Sequence, residues 1–209
     1  MTNNSAPTAM ASSDAAKTVP VPARKRRIPP KIRWLLRWTE HCLALVGLLF
    51  IVYYACFDLS RMISPSMSPT LRGTNYHNGD LILSERVMLR LRQPRRWEVV
   101  CFYNDEGAHV MKRVVGLPGE NVTMQRDGQV EIDGVKQTPP DSMPIRKYLP
   151  YGNLAHGKPI PCGDGYYLLG DDTRDSDDSR FNGPISPDRF IGRAWIIVSP
   201  WERVGWVNP

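Results

Sequence analysis

Hydroxyls, amines and carboxylates crowd three short stretches of this 209-residue chain. The first is Ile63-Ser64-Pro65-Ser66-Met67-Ser68-Pro69-Thr70-Leu71, whose serines become nucleophiles only if a base takes a proton from one of them. The second is Lys112-Arg113-Val114-Val115-Gly116-Leu117-Pro118-Gly119-Glu120, a lysine-bearing run that stops in a turn of glycine and proline. A lysine can be a base only when neutral, and burial favours that state by disfavouring the ammonium. The third, Gly170 to Arg180, packs five acids and two arginines into eleven positions behind the apolar run Tyr166 to Leu169. Such acids suggest calcium, but with Asp171 at the first position of a calcium loop, Ser176 falls where the turn glycine belongs and Asn182 where the bidentate glutamate belongs. No Cys/His spacing suggests zinc either. Taken singly, the three stretches also fit a surface turn, a solvated strand lysine and a polar loop with internal ion pairs.

The elements that must position these groups read as strands. After residue 58 no long helical periodicity appears, and short runs rich in Val, Ile, Tyr and Phe alternate with Gly, Pro, Asn and Asp. Strands are expected at 80–83, 98–103, 109–115, 121–124, 129–132, 166–169 and 193–198. Asp127-Gly128 and Asp133-Gly134 mark tight hairpins, because glycine accepts the positive φ such turns need. Residues 136–165 carry six prolines without a pattern and read as an irregular insertion. Within the strand 109–115, Lys112 shares a face with Val110 and Val114, while His109 and Met111 point to the other.

Charge is divided unevenly. The chain carries +6 overall, which by itself would raise a nucleic acid or an anionic membrane as partner. Residues 1–37 hold +7, however, leaving −1 for everything after them, so no basic patch remains to make the folded part a nucleic-acid binder. The tail 1–33 is expected to be disordered and basic. Cys42 to Phe57 follows with no charge, and extending it back through Trp34, Leu35, Leu36 and Trp38 gives a span over 34–58 long enough for a bilayer if Arg37 reaches the headgroups. Cleavage as a signal peptide is not expected, since Tyr53 would be a bulky −3 residue. The basic excess ahead of the span predicts a cytoplasmic N-terminus and an exported remainder. Cys101 and Cys162 fall in that remainder, where a disulfide is chemically allowed, though a buried free thiol fits Cys101 in its strand as well.

Together and in order, the stretches resemble the type I signal peptidases, membrane-anchored serine proteases with a Ser/Lys dyad. Ser66-Met67-x-Pro69-Thr70-Leu71 is similar to the family's nucleophile box, and Arg96 to Val100 is loosely similar to its Arg-Gly-Asp-Ile-Val strand. Lys112 to Glu120 is similar to its lysine box, and Gly170-Asp171 through Asp178-Ser179-Arg180, with Gly183 and Gly192-Arg193-Ala194, to its last box. Pro65 stands where the family usually has Gly or Asp.

The resemblance implies a mainly β fold, an antiparallel sheet or barrel-like catalytic domain over 59–209 behind a single transmembrane helix. It implies that Ser66 attacks the scissile carbonyl and that Lys112 takes the proton and returns it to the leaving amine. The oxyanion would be held by the Ser66 N–H and the Ser64 hydroxyl. Ser176 would orient Lys112, and Asp178, Arg180, Asp171 and Arg113 would form supporting ion pairs. A signal peptide of an exported preprotein would bind as an added strand with small residues at −1 and −3, against Met67, Val110 and Met111. No cofactor and no metal is expected. The partners implied are preproteins, the lipid bilayer and the translocation machinery, with the catalytic part on the outer face of the cell membrane. A dedicated maturation peptidase of the same clan, of conjugation or organellar inner-membrane type, and a non-catalytic anchored β-domain that binds secretion machinery are the alternatives.

Overall fold

The computed structural model describes residues 29–155 and 157–207. Most of the basic tail therefore lies outside the described residues, as does His156. Helix α1 runs Pro30–Cys56, 27 residues with an acid only at Glu40, and buries none of its side chains. At 1.5 Å per residue it is about 40 Å long, more than the roughly 30 Å hydrocarbon core. The core helix of a soluble domain buries an apolar face, whereas Leu43, Leu45, Val46, Leu48, Leu49, Phe50 and Ile51 are all exposed. This helix is long and apolar enough to cross a membrane.

The remainder is antiparallel β. Strands β1 (Phe57–Arg61), β2 (Leu81–Glu85), β3 (Val99–Tyr103), β4 (His109–Gly116), β9 (Tyr167–Leu169) and β10 (Phe190–Ser199) form one sheet in the order β1-β2-β10-β3-β4-β9, and β11 (Gly205–Trp206) adds to β10. Strands β5 (Asn121–Met124), β6 (Val130–Ile132), β7 (Val135–Lys136) and β8 (Ile160–Pro161) form a second sheet in the order β7-β6-β5-β8. The Asp133-Gly134 turn joins β6 to β7 with both residues at positive φ, +49° and +79°, the geometry a two-residue hairpin demands. Two short helices, α2 (Val87–Leu91) and α3 (Ser179–Asn182), sit in connections.

Alternation divides the core. Val99, Cys101 and Met111 pack with Met62, Met67, Leu71, Ile82, Ile191, Ala194 and Ile197. Val100, Phe102 and Val114 turn the other way, toward Tyr166 and Leu168. The insertion is irregular in backbone but not idle: Met143, Tyr148 and Leu154 close a third core over β5 and β6. Cys101 and Cys162 are both buried and free, in different cores, so no disulfide joins them.

The expected barrel does not close. β1 and β9 are the edges of the larger sheet. β9 has only three residues and meets β4 from Arg113 onward, so the outer edge of His109–Lys112 has no ladder partner among the described residues.

Candidate active site

That gap is a cleft of about 410 Å³, lined by Ser60 to Ser66 on one side and His109 to Lys112 on the other, with Leu168, Asp177 and Asp178 nearby. β1 and the chain leaving it supply the serines, and the unpaired edge of β4 supplies the lysine. The Ser64 and Ser66 hydroxyls lie 3.1 Å apart. Ser66 is 8% exposed. Its carbonyl accepts from the Asp172 N–H at 3.0 Å, while its own N–H meets no acceptor among the described residues. The Ser66 peptide is thus held from behind, with its N–H unused.

Lys112 is 3% exposed and lines the same cleft. Burial pushes its pKa down from 10.5 to about 8, against the pull of Asp178, Asp177 and Asp171, with Arg180 adding to the fall. None of those carboxylates is close enough to form an ion pair with it. At neutral pH about a tenth of such a lysine is free amine, against well under a thousandth for a solvated one.

Two buried ion pairs frame it. Arg113, next along β4 and pointing to the opposite face, grips Asp171 through Nε (2.8 Å) and Nη2 (2.6 Å) and donates to the Trp97 carbonyl at 2.6 Å. Thr70 donates to the same carboxylate, tying the turn after Ser66 to the loop after β9. Arg180 grips Asp178 with bonds of 2.8 and 2.7 Å, and Asp178 also accepts the Gly170 N–H at 2.9 Å. Those donors hold the Asp178 carboxyl below its ordinary range despite its burial. Ser176 Oγ is buried and completes no hydrogen bond of normal geometry, though it stands near enough to Asp178 to favour its charged form.

Several expected site residues therefore converge: Ser64, Ser66, Val110, Met111, Lys112 and Asp178 line the cleft, while Asp171, Arg113 and Arg180 are buried and do not line it. Met67 does not reach the wall. It is fully buried with Met62, Leu71 and Met111, because the tight turn after Pro65 carries it under the cleft. Ser176 makes no hydrogen bond to Lys112.

Three contributors were not legible as such. Thr70 and Trp97 offer their oxygens to the Arg113–Asp171 pair. Gly170 is the third: a Cβ there would come within 2.0 Å of Ser176 Oγ and 2.5 Å of the Ser66 carbonyl oxygen. A glycine opening an acidic loop directly after an apolar strand was the available signal.

Known proteins bear on this arrangement. The family model described as signal peptidase, peptidase S26, matches residues 35–201. A probable signal peptidase I-2 of Synechocystis sp. is 28% identical over 191 residues, covering 88% of this chain and 81% of the relative. A signal peptidase I of Leptolyngbya laminosa is 30% identical over 161 residues, 70% of each. Mitochondrial inner membrane protease subunit 1 of Mus musculus is 26% identical over 146 residues, 69% of this chain and 70% of the relative. The chain belongs to the S26 family of signal peptidases.

Proposed function

We propose that this member of the family is the membrane-bound serine endopeptidase that removes signal peptides from exported preproteins, with Ser66 as nucleophile and Lys112 as general base. The observation that carries the reading is a buried lysine without an ion-pair partner, its pKa near 8, in one cleft with a serine whose N–H is free. Ser66 Oγ attacks the scissile carbonyl while Lys112 accepts its proton. The negative charge on the carbonyl oxygen is met by the Ser66 N–H and the Ser64 hydroxyl. Lys112 returns the proton to the leaving amine, then activates water to hydrolyse the acyl-enzyme. Arg113–Asp171 and Arg180–Asp178 hold the loops, and Ser176, beside Asp178, is assigned the orienting of Lys112 on the resemblance alone.

The substrate strand adds to the unpaired edge of β4, which the ladder leaves open over His109–Lys112. Val110 and Met111 then face its small −1 and −3 side chains, with Met67 as packing beneath. The span is α1, with the basic tail in the cytoplasm and the catalytic part on the outer side of the cell membrane. Trp201 and Trp206, both exposed near the chain end, are placed as interfacial anchors. Translocation machinery would deliver the preprotein, and nucleic acid has no place in the reaction.

Replacing Ser66 or Lys112 by Ala should lower cleavage of a preprotein with a small-x-small site by roughly a thousandfold or more, with the fold retained. Retained cleavage in either variant would refute the dyad. The match to the mitochondrial subunit favours a second reading, a peptidase dedicated to a few substrates. A panel of unrelated preproteins separates the two: the general enzyme cuts most of them, the dedicated one few.

A further inference from the structure

A second group of reactive side chains stands on the neighbouring face, unused by the reaction above. Asp58 of β1, Cys101 of β3 and His109 of β4 bring a carboxylate oxygen, a sulfur and an imidazole nitrogen within 4.8 Å of one another. The register explains two of them. Cys101 lies opposite Met111, and His109 is two residues from Met111 on the same face, so Cys101 and His109 are diagonal cross-strand neighbours. Asp58 reaches them because the sheet curls until β1 approaches the start of β4; its Oδ2 is 3.6 Å from His109 Nδ1.

We propose that Asp58, Cys101 and His109 form a binding site for a zinc-class divalent ion at the His109 end of the cleft. Thiolate, imidazole and carboxylate are the donors such an ion prefers. In a four-coordinate site with bonds of about 2.0–2.3 Å, neighbouring donors stand roughly 3.3–3.8 Å apart. Closing the present set onto an ion needs movements of about 1 Å, within reach of the His109 ring, which is 38% exposed and provides the entry path. One thiolate and one carboxylate neutralise the two charges of the ion. Arg86 already holds the other Asp58 oxygen at 2.9 Å and Ser60 donates to Oδ2 at 3.0 Å, a shell that fixes the carboxylate's orientation. Cys101 is fully buried and, without metal, protonated, its pKa raised by burial to about 12. Loading expels that proton, so affinity rises with pH.

The ion would pin β1 to the beginning of β4, beside the edge along which the substrate strand must add. Zinc is then an inhibitor of entry rather than a cofactor of the chemistry, and this consequence rests on the proposed reading of the cleft. The probe is cobalt(II), titrated into the full chain in detergent micelles and then displaced by zinc. One cobalt per chain with a thiolate-to-cobalt absorption is expected. Cys101→Ser should remove that absorption, and His109→Gln and Asp58→Asn should weaken binding by roughly tenfold or more. His109→Gln, at an exposed position, keeps the test sound if Cys101→Ser misfolds. No thiolate absorption in the unmodified chain, or one that survives Cys101→Ser or is unweakened in His109→Gln, overturns the site. With a preprotein present, zinc should slow the unmodified chain more than His109→Gln, each against its own zinc-free rate; equal response overturns the pinning. The cobalt titration needs no turnover, so a chain that cleaved nothing would refute the peptidase reading and still decide the site.

Discussion

Lys112 and Arg113 are consecutive on β4, both nearly inaccessible, and treated in opposite ways. Arg113 points to one face and meets acceptors from Asp171, Thr70 and Trp97. Lys112 points to the other and meets Val110, Val114 and the cleft, with acids close enough to be felt but too far to bind. A strand's two-residue period makes this possible: one residue of displacement separates a framework cation from a chemical one. The ion pairs tie the loops behind the cleft together, and the amine without an ion-pair partner is the one whose pKa falls, as the proposed base requires.

The comparison can be broken most severely at Asp171. Asp171→Ala leaves the Arg113 charge buried without its counter-ion and should cost about 3–5 kcal/mol of stability, seen as a lower denaturant midpoint. A loss no larger than that of an exposed ion pair would mean that the Arg113 pair is not framework. Lys112→Met should act in the opposite sense. Below about pH 8 the native chain holds a proton on a desolvated amine, and between about 8 and 10.5 the unfolded chain binds more protons than the native one. The stability of the unaltered protein therefore rises with pH through that window. The Met variant should be more stable at pH 7 by on the order of 3 kcal/mol, an advantage that shrinks to nothing by pH 10.5. A pH-independent difference would show that burial does not lower the Lys112 pKa.

On the proposed mechanism Ser64→Ala should lower kcat roughly a hundredfold with little change in KM, since it would remove one donor aimed at charge that develops only in the transition state. Equal losses in kcat and 1/KM would make Ser64 a substrate contact instead. The smallest effect belongs to Asp177. Its exposed carboxylate raises the Lys112 pKa, so Asp177→Asn should move the acid limb of the rate profile from about pH 8 to a lower value, and salt should shrink the difference. An unmoved limb would remove Asp177 from the lysine's surroundings.

What the sequence made legible is local. The alternation in His109 to Val115 put Lys112 and Arg113 on opposite faces, and Asp133-Gly134 announced its hairpin. The resemblance, rather than any spacing, pointed from Ser66 to Lys112. Contacts between distant segments were hidden. In the sequence Asp58 reads as the last residue of the anchor and the strand Phe57–Arg61 is not expected, so its meeting with Cys101 and His109 leaves no trace in spacing. Trp97 was equally opaque. It adopts φ +73°, a region that suits glycine, and its carbonyl then accepts from Arg113 while its ring is buried in the core under the second sheet. Arg96-Trp97-Glu98 does not signal that backbone by itself; the one hint is the glycine that the resembling family strand carries at the Trp97 position. The open edge of β4 is implied only by the resemblance, because whether a sheet closes depends on the length and register of β9, a strand of three residues.

Gly170 has a consequence for how the chain can vary. The space above its Cα is shared by the Ser66 carbonyl and the Ser176 hydroxyl, and one of those is backbone that cannot swing aside. A single added methyl group would press on the Ser66 peptide, that of the proposed nucleophile, from behind. A survey of tolerated substitutions should find this position as invariant as Ser66 itself, although it has no side chain and its N–H is already spent on Asp178. An empty volume is as much a part of the machinery as any hydroxyl, and it is kept empty by the one residue that adds nothing to it.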